Sequence, residues 1–240
     1  MAKGDSRGRC VTGVEGLDTI LGGGIPACNI VLVAGGTGTG KTTLGFEFLV
    51  RGANAGDKGL LISTVESEQK LLANIPSFNF LDPKALKNGT ISIVELKEIA
   101  QEGGLSMSNF DQAAIDKLVL SIGALVSKTK AKRLVIDTLD TILAEVQDDA
   151  LDTYLLVKLS ESLYKNQCTA ILVASMSCDH EIEGAVADGI IRMDNYERKG
   201  DLLRTLQVLK MKGTSHSRAK YVVDLTESGV LMTTLLKGGS

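Results

Sequence analysis

The stretch NIVLVAGGTGTGKTTL, residues 29–44, decides how the rest of the chain is read. Its first half is a continuous apolar run with β-branched residues that ends in glycine, the mark of a strand buried on both faces. Its second half, Gly35 to Thr42, fits G-x-x-x-x-G-K-[ST], a phosphate-binding loop. The glycines let successive N–H groups turn toward one anion. The helix that follows presents its positive end to the same anion. Lys41 carries a point charge to the β- and γ-phosphates, and the Thr42 hydroxyl is a ligand for Mg²⁺. The expected cradle for a nucleoside triphosphate is therefore Gly36, Thr37, Gly38, Thr39, Gly40, Lys41, Thr42 and Thr43. A dinucleotide fingerprint requires no lysine and wants an acid at the end of the next strand, so it fits less well.

Outward from this stretch, strand and helix alternate. GLLIST (59–64), TISIVEL (90–96), RLVID (133–137) and TAILVAS (169–175) read as further buried strands. Helices are expected over 43–54, over 66–74 with a stop near Pro76, and from Asp111 onward, where Ile115, Leu118, Val119, Ile122, Leu125 and Val126 recur at helical spacing. Leu151, Leu155, Leu159 and Leu163 mark one stripe of another helix. The last quarter holds four short strands with little helix between them: GIIRM, LLRTLQVLKM, YVVDL and GVLMT. This order predicts an α/β fold, a mostly parallel sheet covered by helices, with antiparallel strands extending its edge at the C-terminal end. Nothing marks an interdomain linker. One domain is expected over residues 1–240, with 1–9 and 237–240 flexible and a loop at Gly103-Gly104.

Composition narrows the function classes. Hydrophobic residues make up 44% and charged residues 23% of 240, an ordinary globular balance, and the absence of tryptophan makes the core aliphatic. No apolar run reaches the length of a membrane span, and the polar start MAKGDSRGR is unlike a secretory signal, so a cytoplasmic protein is expected. A net charge of −3 argues against general affinity for nucleic acid or anionic membrane. Cys10, Cys28, Cys168 and Cys178 lack metal-ligand spacing and read as buried or partly buried thiols.

Asp137 ends the strand RLVID, beside the phosphate loop at the carboxyl edge of the sheet. By itself an aspartate there reads as a cap for the helix TLDTIL. With the loop alongside, it reads as the second Mg²⁺-side carboxylate, acting through water. Asp140 is expected at the surface or behind the site.

With these motifs placed, the chain resembles the RecA superfamily and, within it, the KaiC-like ATPases. The resemblance is carried by TGVEGLDTILGGGIP (12–26), the phosphate loop, the strand 59–64, RLVIDTL, VADGII (186–191) and LKMKGTSHS (209–217). It implies ATP held with Mg²⁺ between protomers of a homo-oligomeric ring, usually a hexamer. In that arrangement Lys210, Lys212, Thr214 and His216 reach the nucleotide of the neighbouring protomer. Ser77 matches a serine lining the site, and Thr226 and Glu227 match a Thr-Asp pair near the base, with Glu replacing Asp.

The chain departs from the family pattern in places that bear on chemistry. The paired glutamates after the second strand become STVESE (63–68), with Val65 where the first, water-positioning acid belongs. Glu66 keeps the second position. Neighbours in an extended segment face opposite ways, so Glu66 serves as the catalytic acid only if a bulge or helix start re-aims it; otherwise it is a first-turn helix acid. Lys212 stands where arginine is common and lacks the planar fork that grips phosphate in two places. The family's phosphorylated Ser-Thr pair falls on Gly184 and Ala185, so self-phosphorylation of that type is not expected. Cys28 replaces a common glycine.

The resulting expectation is a slow Mg-dependent ATPase, with Glu66, Lys41 and Lys212 as its catalytic groups, acting as a nucleotide-dependent regulator or switch toward a protein partner that the sequence does not specify. The alternative is an ATP-driven assembly module with little hydrolysis. A DNA recombinase-type filament fits less well, because the stretches 139–152 and 176–188 are acidic and contain no lysine or arginine. No role is assigned to His180.

Overall fold

The computed structural model describes residues 8–74, 84–146, 148–175, 186–198 and 200–234. A short N-terminal hairpin, β1 (Arg9–Cys10) and β2 (Ile25–Pro26), brackets the one-turn helix α1 (Leu17–Ile20). Then follow β3 (Ile30–Gly35), α2 (Lys41–Asn54), β4 (Gly59–Ser63), α3 (Glu68–Asn74), α4 (Lys84–Lys87), β5 (Ile91–Glu95) and α5 (Leu96–Glu102). The long helix α6 (Gln112–Thr129) leads to β6 (Arg133–Asp137), α7 (Leu139–Leu143), α8 (Asp149–Lys165) and β7 (Thr169–Ala174). The chain closes with β8 (Gly189–Arg198), β9 (Asp201–Met211), β10 (Lys220–Thr226) and β11 (Gly229–Thr234).

These strands form one nine-stranded sheet in the order β11-β10-β9-β8-β3-β7-β6-β4-β5. The predicted α/β architecture is present. One strand differs from expectation: GIIRM begins β8, which runs parallel to β3, and the antiparallel extension starts only with β9. In the first half of β8 Gly189, Ile191 and Met193 are buried and Arg192 is exposed as the strand pairs with β3, whereas its polar second half runs past β3 to pair with β9 alone.

Period-two alternation sorts the inner strands between two cores. Val31, Val33, Leu61, Val135, Ile171 and Val173 pack on one face with α1, α2 and the C-terminal strands. Ile30, Leu32, Leu60, Ile62, Leu134, Ile136 and Leu172 pack on the other with α5 to α8. α6 starts where its sequence predicts, capped by the Asp111 carboxylate, which accepts the Ala114 N–H at 2.8 Å. α5 escapes the sequence reading. TISIVEL runs from strand into helix without a loop, and a capping box between Glu95 and Glu98 makes the switch. The loop at Gly103-Gly104 ends that helix. Arg9, expected in a flexible end, is paired in β1.

Two buried charges fasten α2 to its surroundings. Arg133, at the start of β6, is 2% exposed. It donates to Asp57 at 2.9 Å and 3.0 Å and to the Phe48 carbonyl at 2.9 Å, and its guanidinium lies 4.8 Å from the Phe48 ring centre. Gly52 makes room for it: a Cβ there would fall 2.2 Å from the guanidinium. Glu47, fully buried, accepts the Val230 N–H at 2.7 Å and Arg51 at 2.9 Å, tying α2 to β11. Among the described residues no helix is long and apolar enough to cross a membrane.

Replacing Arg133 by Met would remove its bonds to Asp57 and to the Phe48 carbonyl, while Asp57 can hydrate and the Phe48 carbonyl keeps its helical partner; urea denaturation should show a loss of about 1–2 kcal/mol. Burial raises the Glu47 carboxyl above its usual value of 4.5, against the opposing pull of Val230 N–H and Arg51. The folded form then holds the proton more tightly than the unfolded one, so stability falls as pH rises from about 4.5 through the raised folded value. The stability difference between the wild type and Glu47→Gln, measured by denaturation across this range, should therefore move against the wild type as pH rises.

Candidate functional site

The phosphate loop is the turn between β3 and α2. Gly38 (φ 76°) and Gly40 (φ 98°) take the left-handed backbone that the loop requires. Gly35 is needed for space: a Cβ there would lie 2.2 Å from the Met193 carbonyl oxygen and 3.0 Å from the Thr39 hydroxyl. Thr39 is fully buried and donates to the Gly36 carbonyl at 2.9 Å, closing the loop from inside. α2 begins at Lys41, two residues earlier than expected, with Gly40 as its cap and no side-chain cap. The first N–H groups of a 14-residue helix are thus left to face the loop's interior.

Lys41 folds over this turn, its Nζ 2.8 Å from the carbonyl oxygens of both Gly35 and Gly36. Burial lowers its proton affinity, opposed by the charges of Asp137 and Asp140. Asp137 sits at the end of β6 near Thr42 and Lys41; burial raises its carboxyl, opposed by the influence of Thr42 and Lys41. The helix-cap reading of Asp137 is not what the geometry gives. α7 starts after Thr138, and the carboxylate turns toward the phosphate loop instead. The Asp137–Thr138 peptide is cis.

Thr42 and Asp137 offer two hard oxygens side by side, which fits Mg²⁺, an ion that fills most of its shell with water and phosphate oxygens. Among the described residues no group of three or more His, Cys, Asp or Glu side chains could hold a metal alone. The donor set therefore suits a metal that arrives with a phosphate.

Glu66 and Val65 resolve as neighbours facing apart. Val65 is 72% exposed. Glu66 is half-buried, its charge is felt at Asp137, and its carboxylate pairs with Lys70 at 3.0 Å.

The late segment lies elsewhere. β8 runs with β3, so Met193 pairs opposite Gly35 beside the loop, and Gly189 opposite Val31 at the far end. Met211 pairs with Gly189. Residues 210–216 thus leave the sheet at its amino edge, about 13 Å of strand away from their own phosphate loop. There Lys212 pairs with Asp188 at 3.1 Å, and burial together with Lys212 lowers the proton affinity of Lys210. The Thr214 hydroxyl donates to the Leu21 carbonyl at 3.0 Å, and His216 Nδ1 lies 3.1 Å from the Ser217 carbonyl oxygen. Thr226 and Glu227 sit at the opposite, loop-side edge, in the β10–β11 turn, next to Leu225, whose side chain packs on Gly40. Ser77, Cys178, His180, Gly184 and Ala185 lie outside the described residues. Cys28 has φ 64°, so the glycine common at this place in the family would occupy a left-handed turn that this chain fills with cysteine.

Several residues around the loop were missed by the sequence reading. Asn195 and Arg204 are cross-strand partners on β8 and β9; Asn195 donates to the Thr37 carbonyl at 3.3 Å and Arg204 Nε to the Gly38 carbonyl at 2.9 Å. Arg204 therefore brings a second cation to the loop from its own chain. An arginine inside the apolar run LLRTLQVLKM was the available signal, but only the strand register shows where it points. Asp140 accepts from the Ser175 N–H at 2.8 Å and hydroxyl at 2.7 Å. Thr64 accepts the Thr138 N–H at 2.7 Å and bonds the Thr141 hydroxyl at 3.1 Å, bracing the turn after Asp137. Because the Gly35 contact is with backbone, Gly35→Ala should lower the unfolding free energy by about 2 kcal/mol or more, read by thermal or urea denaturation.

The chain is similar to known proteins along most of its length. A family model described as the KaiC ATPase matches residues 10–237. A UPF0273 protein of Thermotoga maritima is 32% identical, over 93% of this chain and 95% of its own length. The circadian clock protein KaiC2 of Synechocystis is 30% identical over 92% of this chain, which spans 39% of that longer protein. The crystal structure of a KaiC-like protein from Pyrococcus horikoshii superposes with a TM-score of 0.78 at 30% identity, covering 95% of this chain and 98% of that one. A RecA-like fold, a phosphate loop opposed by a strand-end aspartate and this likeness along the whole described chain identify a nucleotide-binding protein that belongs to the KaiC family of ATPases.

Proposed function

We propose that this chain is a slow Mg-dependent ATPase that works as a single KaiC-like domain in a ring of identical copies, each nucleotide held between two neighbours, with the assembly serving as a nucleotide-dependent switch. The observation that carries the proposal is the placement of Lys210, Lys212 and His216 at the sheet edge opposite their own phosphate loop. They can serve a triphosphate only in another copy. Arg204 adds a cation from the same chain as the loop, which lessens dependence on the neighbour's lysine.

In this reading the loop N–H groups and Lys41 bind the β- and γ-phosphates, and Thr42 and Asp137 are the residues that would hold Mg²⁺. When bound there, Mg²⁺ would supply positive charge beside the phosphate oxygens. Glu66 orients the attacking water from the Asp137 side of the site, which requires it to leave Lys70. Lys212 neutralises charge from the neighbouring copy, less effectively than an arginine fork would. Both features favour slow turnover.

A second reading, ATP-driven assembly with little hydrolysis, is favoured by the exposed Val65 at the position of the water-positioning acid. Phosphate release and mass, measured together with and without Mg-ATP, decide between them. Slow ATPase activity predicts release above that of Lys41→Ala, a rise in mass with ATP, and a drop of roughly a hundredfold in Glu66→Gln. Release equal to the Lys41→Ala background, with mass still rising, would leave the assembly reading. Mass unchanged by ATP would sink the ring.

A further inference from the structure

Arg9 lies outside every segment to which the sequence assigns chemistry, yet its guanidinium joins three parts of the chain. Nη1 donates to the carbonyls of Leu21 at 3.3 Å and Gly24 at 2.9 Å, and Nη2 donates to the Thr214 hydroxyl at 3.0 Å. Thr214 passes its own hydrogen to the Leu21 carbonyl. Its single hydrogen and one lone pair are therefore engaged within the protomer, so this hydroxyl acts as a brace.

The turn that Arg9 grips is built for close approach. Gly22, Gly23 and Gly24 all have positive φ. A Cβ on Gly24 would fall 2.5 Å from the Cys10 carbonyl oxygen, and one on Gly22 would lie 3.3 Å from both the Ser215 carbonyl oxygen and the Thr214 hydroxyl. On its far side the segment is held again, where the Ser217 N–H donates to the Ile20 carbonyl at 3.0 Å. At its start Lys212 is held by Asp188. Residues 212–217 are thus pinned at start, middle and end, and Arg9 supplies the middle pin. A planar fork with several donors can reach two carbonyls and a hydroxyl together, which an ammonium on a flexible stem does less well.

We infer that Arg9 is a positioning residue of the composite nucleotide site. It fixes the backbone of residues 213–217 against the glycine turn and so aims Lys212 and His216 at the triphosphate of the neighbouring copy. This inference rests on the ring reading above. Arg9 touches no nucleotide; its effect is delivered in the neighbour, and a defect there should be repaired by subunits that carry an intact Arg9.

The test measures release of N-methylanthraniloyl-ATP, with Mg²⁺, from the assembled protein. Arg9→Gln should release it about tenfold faster than the wild type, the loss of a charge-assisted hydrogen bond. Arg9→Lys, which keeps the charge and loses the fork, should fall between. An excess of Lys41→Ala subunits, defective in phosphate binding but with Arg9 and residues 210–217 intact, should restore slow release to Arg9→Gln. Wild-type release from Arg9→Gln and Arg9→Lys, or faster release that Lys41→Ala subunits do not correct, would overturn the inference. Lys212→Ala separates this failure from that of the ring reading. If Lys212→Ala is corrected by Lys41→Ala subunits and Arg9→Gln is not, the Arg9 inference alone fails. If neither is corrected, the ring reading fails with it.

Discussion

The contact between Gly35 and the carbonyl of Met193 fixes much else in this protein. β3 must run so close to β8 that its last residue can carry no side chain, and from that point the chain turns through two left-handed glycines into α2. The pairing of β3 with β7 on one side and β8 on the other buries all six of its residues and makes the turn a rigid platform. The same platform brings Asp137 near Thr42 and Lys41 from β6, two strands away, and lets Asn195 and Arg204 grip the loop carbonyls from the C-terminal strands. A phosphate site of this kind depends on backbone N–H groups held in place before the ligand arrives, since every loop dihedral ordered on binding subtracts from affinity.

Charge at the site follows from burial. Asp137 and Lys41 are both drawn from water, and each partly compensates the other. Asp140 adds negative potential behind Lys41 while holding the end of β7 through Ser175. At the other edge of the sheet Lys210 and Lys212 stand close enough to repel, and Asp188 offsets part of their charge where their own chain has no phosphate loop. A parallel sheet has two chemically different edges, because its helices all begin at one and end at the other. Here the carboxyl edge holds the loop and Asp137, and the amino edge holds the late lysines.

Much of the fold was legible because period-two burial, glycine at strand ends and capping residues act locally. The apolar runs of β3, β4, β6 and β7 and the capped helix α6 appear where their residues require. What escaped depends on context. α5 was hidden because its first residue completes an apolar run that the preceding strand shares. The direction of β8 is not legible locally, because a strand's direction is set by where the chain crosses the sheet. Arg133 reads as the polar start of a strand, and only the gap left by Gly52, together with Asp57 and Phe48, shows that it is buried and satisfied.

The phosphate-loop motif, with Lys41 and Thr42, was legible in the sequence by itself, since short-range spacing is enough to mark such a turn between a strand and a helix. Tertiary structure decided the rest of the neighbourhood. It showed that Val65 faces solvent and Glu66 pairs with Lys70, that Arg204 and Asn195 touch the loop, that Lys212 and His216 lie at the other edge of the sheet, and that Arg9 braces Thr214. These are contacts between strands far apart in the chain, where direction and register determine which side chains meet, and neither is written in the spacing of residues along a single segment.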